Sequence, residues 1–240
     1  MGLMVLLSTT ILAETIRADY DVSYGIFGKI GRAKATLKKE RSRYRIEIGL
    51  EPTGLAKRLS GNRTERHTSE GRIVNGKLVS DRYTVIRTSK DTKVIKRYRF
   101  DHSKRRIYKR YLKYKRGVLA KDEKETLSFY TSEDLLTLYF NLDKLLPDKQ
   151  KAGRYRFYAV GAERQKGEVF VEIPSQKRVS VYEKELGKGA SWYATVLINQ
   201  QIFTSKEGRL QLAVGKDGIT RTALLKDVIF FGDIRARRVK

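Results

Sequence analysis

The chain has 240 residues, no cysteine and two histidines, which leaves no material for a disulfide staple, a thiol nucleophile or a structural zinc site. Its length and 40% hydrophobic content suffice for one large domain held by its core alone. The formal charge of +25, from 52 Lys and Arg against 27 Asp and Glu, favours anionic partners such as nucleic acid, lipid head groups or acidic polysaccharide.

Met1 to Ala13 is a run of apolar and small hydroxyl residues, too short to span a bilayer and placed where a secretory signal belongs. Cleavage after Ala13 is expected, with residues 1–18 as signal and short leader, residues 19–240 as a single β-rich domain, and the periplasm as destination. No Lys or Arg precedes Arg17, a departure from the usual basic start of such segments.

From Asp19 the pattern alternates. Tyr20, Val22, Tyr24 and Ile26 share one face of a strand, Ala33, Ala35 and Leu37 one face of the next, and Tyr44, Ile46 and Ile48 one face of a third. A short helical turn is expected within Pro52 to Ser60. Strands resume at Thr64 to Thr68, Gly71 to Val74 and Leu78 to Thr88, followed by a basic hairpin around Asp101 to Lys104. Thr131 to Leu146 then reads as the one helix: Thr131 as cap, Leu135, Leu138, Tyr139 and Leu142 at i, i+3, i+4, i+7, and Pro147 as stop. Leu136 and Phe140 widen its apolar stripe so far that it must be covered. Later strands are expected at Arg154 to Val160, Glu168 to Ile173, Arg178 to Tyr182, Trp192 to Ile198, Leu210 to Val214, Thr220 to Leu225 and Val228 to Ala236. The predicted fold is therefore mainly β, a curved antiparallel sheet (a half-barrel or barrel-like meander) packed around one amphipathic helix.

The basic hairpin is the most informative polar feature. Arg87 to Val118 carries 14 basic and 2 acidic residues, so about half of the excess charge is local. With His102 and Ser103 as its turn, Arg99 faces Arg106 and Lys96 faces Lys109, like-charged pairs that an anion would stabilise. Lys96, Arg97, Arg99, Lys104, Arg105, Arg106, Lys109 and Arg110 are the candidate anion-binding residues, interleaved with Tyr98, Phe100, Tyr108, Tyr111 and Tyr114. The plain alternative is an extension whose outward charges keep an edge soluble. Leu135, Tyr139 and Trp192 are the candidate apolar groove.

Other motifs carry little chemistry. His67 and His102 read as surface residues. Asp122 with Glu123, and Glu183 with Glu185, read as solvated ion-pairing surface rather than acid/base couples. Gly25 to Gly31 and Gly187 to Gly189 lack the ending of a phosphate loop and read as hairpin turns. No catalytic set, metal site or cofactor is expected.

Three pieces in order, Tyr20-Asp-Val-Ser-Tyr24-Gly25 with Gly31-Arg-Ala33-Lys-Ala35, Ser128 to Leu142, and Leu210 to Gly218 with Gly232 to Ala236, resemble the domain-of-unknown-function family numbered 3108, of secreted Gram-negative proteins. The resemblance implies a periplasmic β-rich domain with a helix against the sheet, similar in outline to half-barrels that carry lipid or lipoprotein, and it brings no catalytic residues. The chain departs from the family pattern in its basic hairpin and in the missing proline after Asp217. The resulting expectation is a non-enzymatic cell-envelope protein that binds an anionic amphiphile, a lipid-A-like or other lipid, or an envelope polymer, with peripheral membrane contact. The alternatives are an acidic protein partner docked on the hairpin or, for a chain that is not exported, nucleic acid.

Overall fold

A computed structural model describes residues 13–25, 28–54, 57, 62–198, 208–228 and 232–240. Eight strands run as a continuous antiparallel meander: β1 (Glu14–Tyr24), β2 (Lys29–Glu40), β3 (Arg43–Pro52), β4 (Thr64–Val74), β5 (Lys77–Thr88), β6 (Thr92–Asp101), β7 (Arg106–Lys115) and β8 (Val118–Thr126). Helix α1 (Leu135–Leu145) follows, then β9 (Gly153–Tyr158), a 3-10 turn (Glu163–Gln165), β10 (Glu168–Ile173), helix α2 (Gln176–Leu186), β11 (Trp192–Leu197), β12 (Arg209–Val214), β13 (Thr220–Val228) and β14 (Gly232–Arg238). All fourteen strands form one sheet in the order β8 to β1, then β14 to β9, because β14 returns to pair with β1. Edges β8 and β9 do not pair with each other, so the sheet is curved and unclosed.

The sheet curves because α1 is fastened to strands far apart in its order. Asp134 caps α1, its Oδ1 accepting from the N–H groups of Leu136 and Thr137 at 2.8 and 3.0 Å. Its Oδ2 accepts from Ser69 of β4 at 2.5 Å and Ser80 of β5 at 2.7 Å. The side chain of Asn141 is paired with the backbone of Leu78, accepting from its N–H at 2.9 Å and donating to its carbonyl at 2.8 Å. On the opposite flank the Tyr139 hydroxyl donates to Thr220 Oγ1 and accepts from Thr220 N–H, both at 2.9 Å, at the start of β13. Leu138, Leu142 and Leu146 pack with Trp192, Ala194, Val196, Leu212 and Val214, while Leu136 packs with Ile46, Tyr83, Tyr98 and Ile107. One helix thus closes two cores, and each buried leucine contributes about 2 kcal/mol of transfer free energy.

Several expectations are corrected. The α1 cap is Asp134 and not Thr131: a fully buried carboxylate with two serine donors holds the helix start better than an accessible hydroxyl, and Thr131 instead donates to the Tyr158 carbonyl at 2.9 Å. Arg178 to Tyr182 is helical, within α2, because Val179, Tyr182 and Leu186 at i, i+3, i+7 cover the face of the sheet opposite to α1. Gly187 to Gly189 accordingly ends a helix and does not turn a hairpin. Residues 14–18, assigned to the leader, open β1, and Ala18 is 2% exposed. The predicted segments Thr64 to Thr68 and Gly71 to Val74 are one strand, with a bulge where Asp81 stands unmatched between Ser80↔Gly71 and Arg82↔Glu70. That extra residue lets Ser80 and Tyr83, three apart, both point inward. The expected Met1 to Leu12 portion of the signal, residues Ile26 and Phe27, and Leu55, Ala56 and Leu59 of the helical turn lie outside the described residues.

Candidate functional site

The β6–β7 turn comprises His102 to Arg105, with Asp101 opposite Arg106. The Asp101 carboxylate accepts from Ser103 Oγ at 2.9 Å and Lys104 N–H at 3.0 Å, and Arg105 takes φ 49°. The pairing is shifted by two residues from the expected one: Arg99 faces Tyr108, Tyr98 faces Lys109 and Lys96 faces Tyr111. Because a strand repeats every two residues, this shift changes the partners but preserves the faces. The expected pairs Arg99 with Arg106 and Lys96 with Lys109 do not form; Arg97 opposite Arg110 is the like-charged pair instead.

The eight candidate cations therefore divide among three places. Arg97, Arg99, Arg106 and Arg110 are on the convex face, Lys104 and Arg105 lie in the turn, and Lys96 and Lys109 point into the concavity. Half of them already have side-chain partners. Arg110 makes a two-point ion pair with Asp122, at 2.9 and 2.6 Å; Arg99 stacks over Tyr108 and Arg105 over Tyr130; Lys109 meets Glu125 at 2.6 Å. Asp122 and Glu123 are surface ion-pair partners, the latter of Lys121. Charges along the fully exposed β8 also guard an open edge.

The proposed apolar groove is filled. Trp192 is 6% exposed and belongs to the core beneath α1, Leu135 packs against the same core, and Tyr139 spends its hydroxyl on Thr220. Leu135, Tyr139 and Trp192 hold the helix in place and do not line an open channel.

The concave face carries polar groups that the sequence did not single out. Strand alternation and register align three rows there: Ser69, Tyr83, Tyr98, Lys109; then Ile48, His67, Val85, Lys96, Tyr111; then Leu50, Glu65, Arg87, Val94. Glu65, 7% exposed, accepts from Arg87 Nε at 2.8 Å and from His67 Nε2 at 2.6 Å. Burial favours its neutral form, but His67 and Arg87 outweigh burial and hold the carboxyl down at about 2. His67 Nδ1 faces the Tyr83 hydroxyl at 2.7 Å, and the Tyr83 ring stacks on Tyr98 with centroids 5.6 Å apart. His102 repeats the motif near the hairpin: Nδ1 faces Tyr130 at 2.8 Å and Nε2 faces Asp81 at 3.1 Å, with Arg72 on the same Asp81 oxygen. Neither histidine is a free surface residue; each is clamped between a tyrosine and an arginine-held carboxylate.

Lys96 stands in the middle row between Val85 and Tyr111. Burial lowers its pKa, as do Lys109 and Arg87, while Glu163 on the 3-10 turn raises it. It is half-buried and makes no hydrogen bond or ion pair among the described residues. Gly161 gives the turn that carries Glu163 its approach: φ is +106°, and a Cβ there would stand 2.8 Å from Leu135. Register alone would have exposed this cluster from sequence; for Glu163 no sequence signal exists.

A solved β-barrel-like protein of domain of unknown function DUF1849, from Brucella abortus, is similar over 97% of this chain and 98% of that one, at 14% identity and a TM-score of 0.47. No curated protein matches the chain. The family described as "Protein of unknown function (DUF3108)" matches residues 19–218, and the chain belongs to that family.

Proposed function

We propose that this is a non-enzymatic cell-envelope protein that binds an anionic amphiphile on the part of its concave face that α1 leaves free. The carrying observation is Lys96, a half-buried cation without an ion-pair partner among the described residues. A cation in such a place is stabilised by an incoming anion more than an exposed one would be, because less water competes for it. Around it the partly buried Ile48, Leu50 and Val94 offer aliphatic surface, and burial of an acyl chain contributes about 0.8 kcal/mol per methylene. Glu65 keeps Arg87 and His67 in place, which leaves Lys96 as the first contact for the head group. Export rests on the apolar start of the sequence, and among the described residues no helix is long and apolar enough to cross a membrane.

The test is native mass spectrometry of protein purified from a bacterial envelope, followed by organic extraction. A stoichiometric acidic lipid is expected, with occupancy at least about tenfold lower in Lys96→Ala, since a hydrogen bond to a charged group supplies that much. A bare protein that takes up no added envelope lipid would sink this reading.

A second reading has its own observation. Arg97, Arg110 and Lys124 stand directly opposite one another across β6, β7 and β8 on the convex face. Such a row favours an acidic protein partner, and it predicts a pulled-down complex lost in Arg97→Ala with no lipid bound.

A further inference from the structure

At the other end of the strands, on the face that carries α2, the end of that helix, the β12–β13 turn and the end of β14 enclose an open cleft of about 800 Å³. Its lining includes Lys188, Lys216, Arg221, Arg237, Arg238 and Lys240, against one side-chain carboxylate, Asp217. That carboxylate is already taken: Arg238 makes an ion pair with it, and Ile219 N–H donates to it at 3.1 Å. Arg221 donates to the Gly189 carbonyl at 2.5 Å, which fixes its guanidinium on the wall. Lys188, Lys216 and Arg237 are exposed and make no ion pair or hydrogen bond among the described residues.

A helix C-terminus ordinarily repels anions through its unpaired carbonyls. Here three carbonyls at that end are occupied. Gly187 N–H donates to Glu183 O at 2.9 Å, Arg235 to Glu185 O at 2.5 Å, and Tyr193 to Gly187 O at 2.7 Å. The field of the cleft is thus set by its cations, and Leu186, Ala190 and Ala213 add a small apolar wall.

We propose that this cleft is an anion site distinct from the concave face, and that it takes a phosphate monoester or diphosphate group. Several converging cations suit a multiply charged oxyanion better than a single carboxylate, and a planar guanidinium fixed on the wall offers paired N–H donors to phosphate oxygens. The volume accommodates a small molecule or a single head group. The phosphate comes either from a soluble ester or from a lipid head group, and the two are separable by experiment.

The full chain is titrated calorimetrically with inorganic pyrophosphate, and separately floated with phosphatidylcholine vesicles with and without phosphatidic acid. Two double variants remove equal charge: Lys216→Ala with Arg237→Ala in the cleft, and Lys104→Ala with Arg106→Ala at the hairpin. Saturable one-to-one binding of pyrophosphate is expected, weakened at least about tenfold by the cleft variant and changed less than about twofold by the hairpin variant. Flotation that requires phosphatidic acid and is lost in the cleft variant identifies the source as a lipid head group; pyrophosphate binding without flotation identifies a soluble phosphate. The proposal is overturned if neither probe binds saturably, or if both double variants lose binding equally, since net charge alone would then account for it.

Discussion

Helices α1 and α2 have 11 residues each and lie on opposite faces of one sheet, yet the first is tied by buried side chains to strands far apart in the sheet and the second only to neighbouring ones. Five residues of α1 are buried, including the polar Thr137 and Asn141, and its attachments to β4, β5 and β13 are hydrogen bonds made by side chains. In α2 two residues are buried, Tyr182 and Leu186, and no side chain caps its start. The first helix determines which strands meet across the concavity, and the second shields a patch of a sheet already formed. Buried hydrogen bonds specify arrangement where apolar contact alone would permit sliding.

The largest effect is therefore expected at Asp134. All four of its contacts are donors, so they fit the ionised carboxylate, even though burial pushes this group up. Asp134→Ala orphans Ser80 and two helix N–H groups at once, leaves Ser69 only the Tyr44 hydroxyl, and is expected to cost about 4 kcal/mol. Denaturant unfolding should show a large fall in midpoint. Leu186→Ala, by contrast, is expected to cost about 2 kcal/mol and to act locally, with faster amide exchange confined to α2 and its strands. If Leu186→Ala accelerates exchange throughout β3 to β7 as well, the division between an organising and a covering helix is wrong.

Glu133 sharpens the same comparison through pH. Burial, with Asp134 adjacent, pushes it up to about 7, against the hydrogen bonds from Asn141 and Thr137. An acid whose folded value lies above its unfolded one holds its proton longer in the folded state. Stability should then fall as pH rises from the ordinary glutamate range, about 4.5, through about 7, and level off above. Glu133→Gln should remove this slope, gaining about 3 kcal/mol near pH 8 and almost nothing near pH 4. Stability curves of the two proteins that run parallel across this range would contradict the assignment.

The legibility of the sequence follows from the same physics. Alternation along Tyr44, Ile46 and Ile48, and the i, i+3, i+4 spacing of Leu135, Leu138 and Tyr139, are local patterns, and the strands and α1 were readable from them. In α2, with Lys177, Arg178, Lys184 and Glu183 around a stripe of three, Arg178 to Tyr182 also alternates, so period two and period 3.6 both fit a five-residue window. The hairpin failed by two residues because Asp101 recruits Ser103 and Lys104 into a four-residue turn, and turn length is set by such short contacts rather than by the strands. The concave cluster was invisible for another reason: Glu65, His67, Arg87 and Lys96 come together through register across three strands. No spacing within one strand announces it.

The smallest predicted effect concerns the layer beneath α2. Tyr182 and Thr195 pair their hydroxyls at 2.6 Å there, and across from Thr195 stands Gln211, 6% exposed, whose Oε1 is buried without a partner among the described residues. A buried amide oxygen that gave up water and gained nothing is a cost the folded state carries. Methionine has nearly the same length and no such need, so Gln211→Met should stabilise the protein by roughly 1 kcal/mol, read as a higher denaturant midpoint at unchanged slope. Because α2 covers and does not organise, the gain should be seen without any change in the pH dependence that Glu133 imposes from the other face. A loss of stability instead would mean that Gln211 is used by the folded protein, as a further polar contact in the layer where Tyr182 and Thr195 already pair.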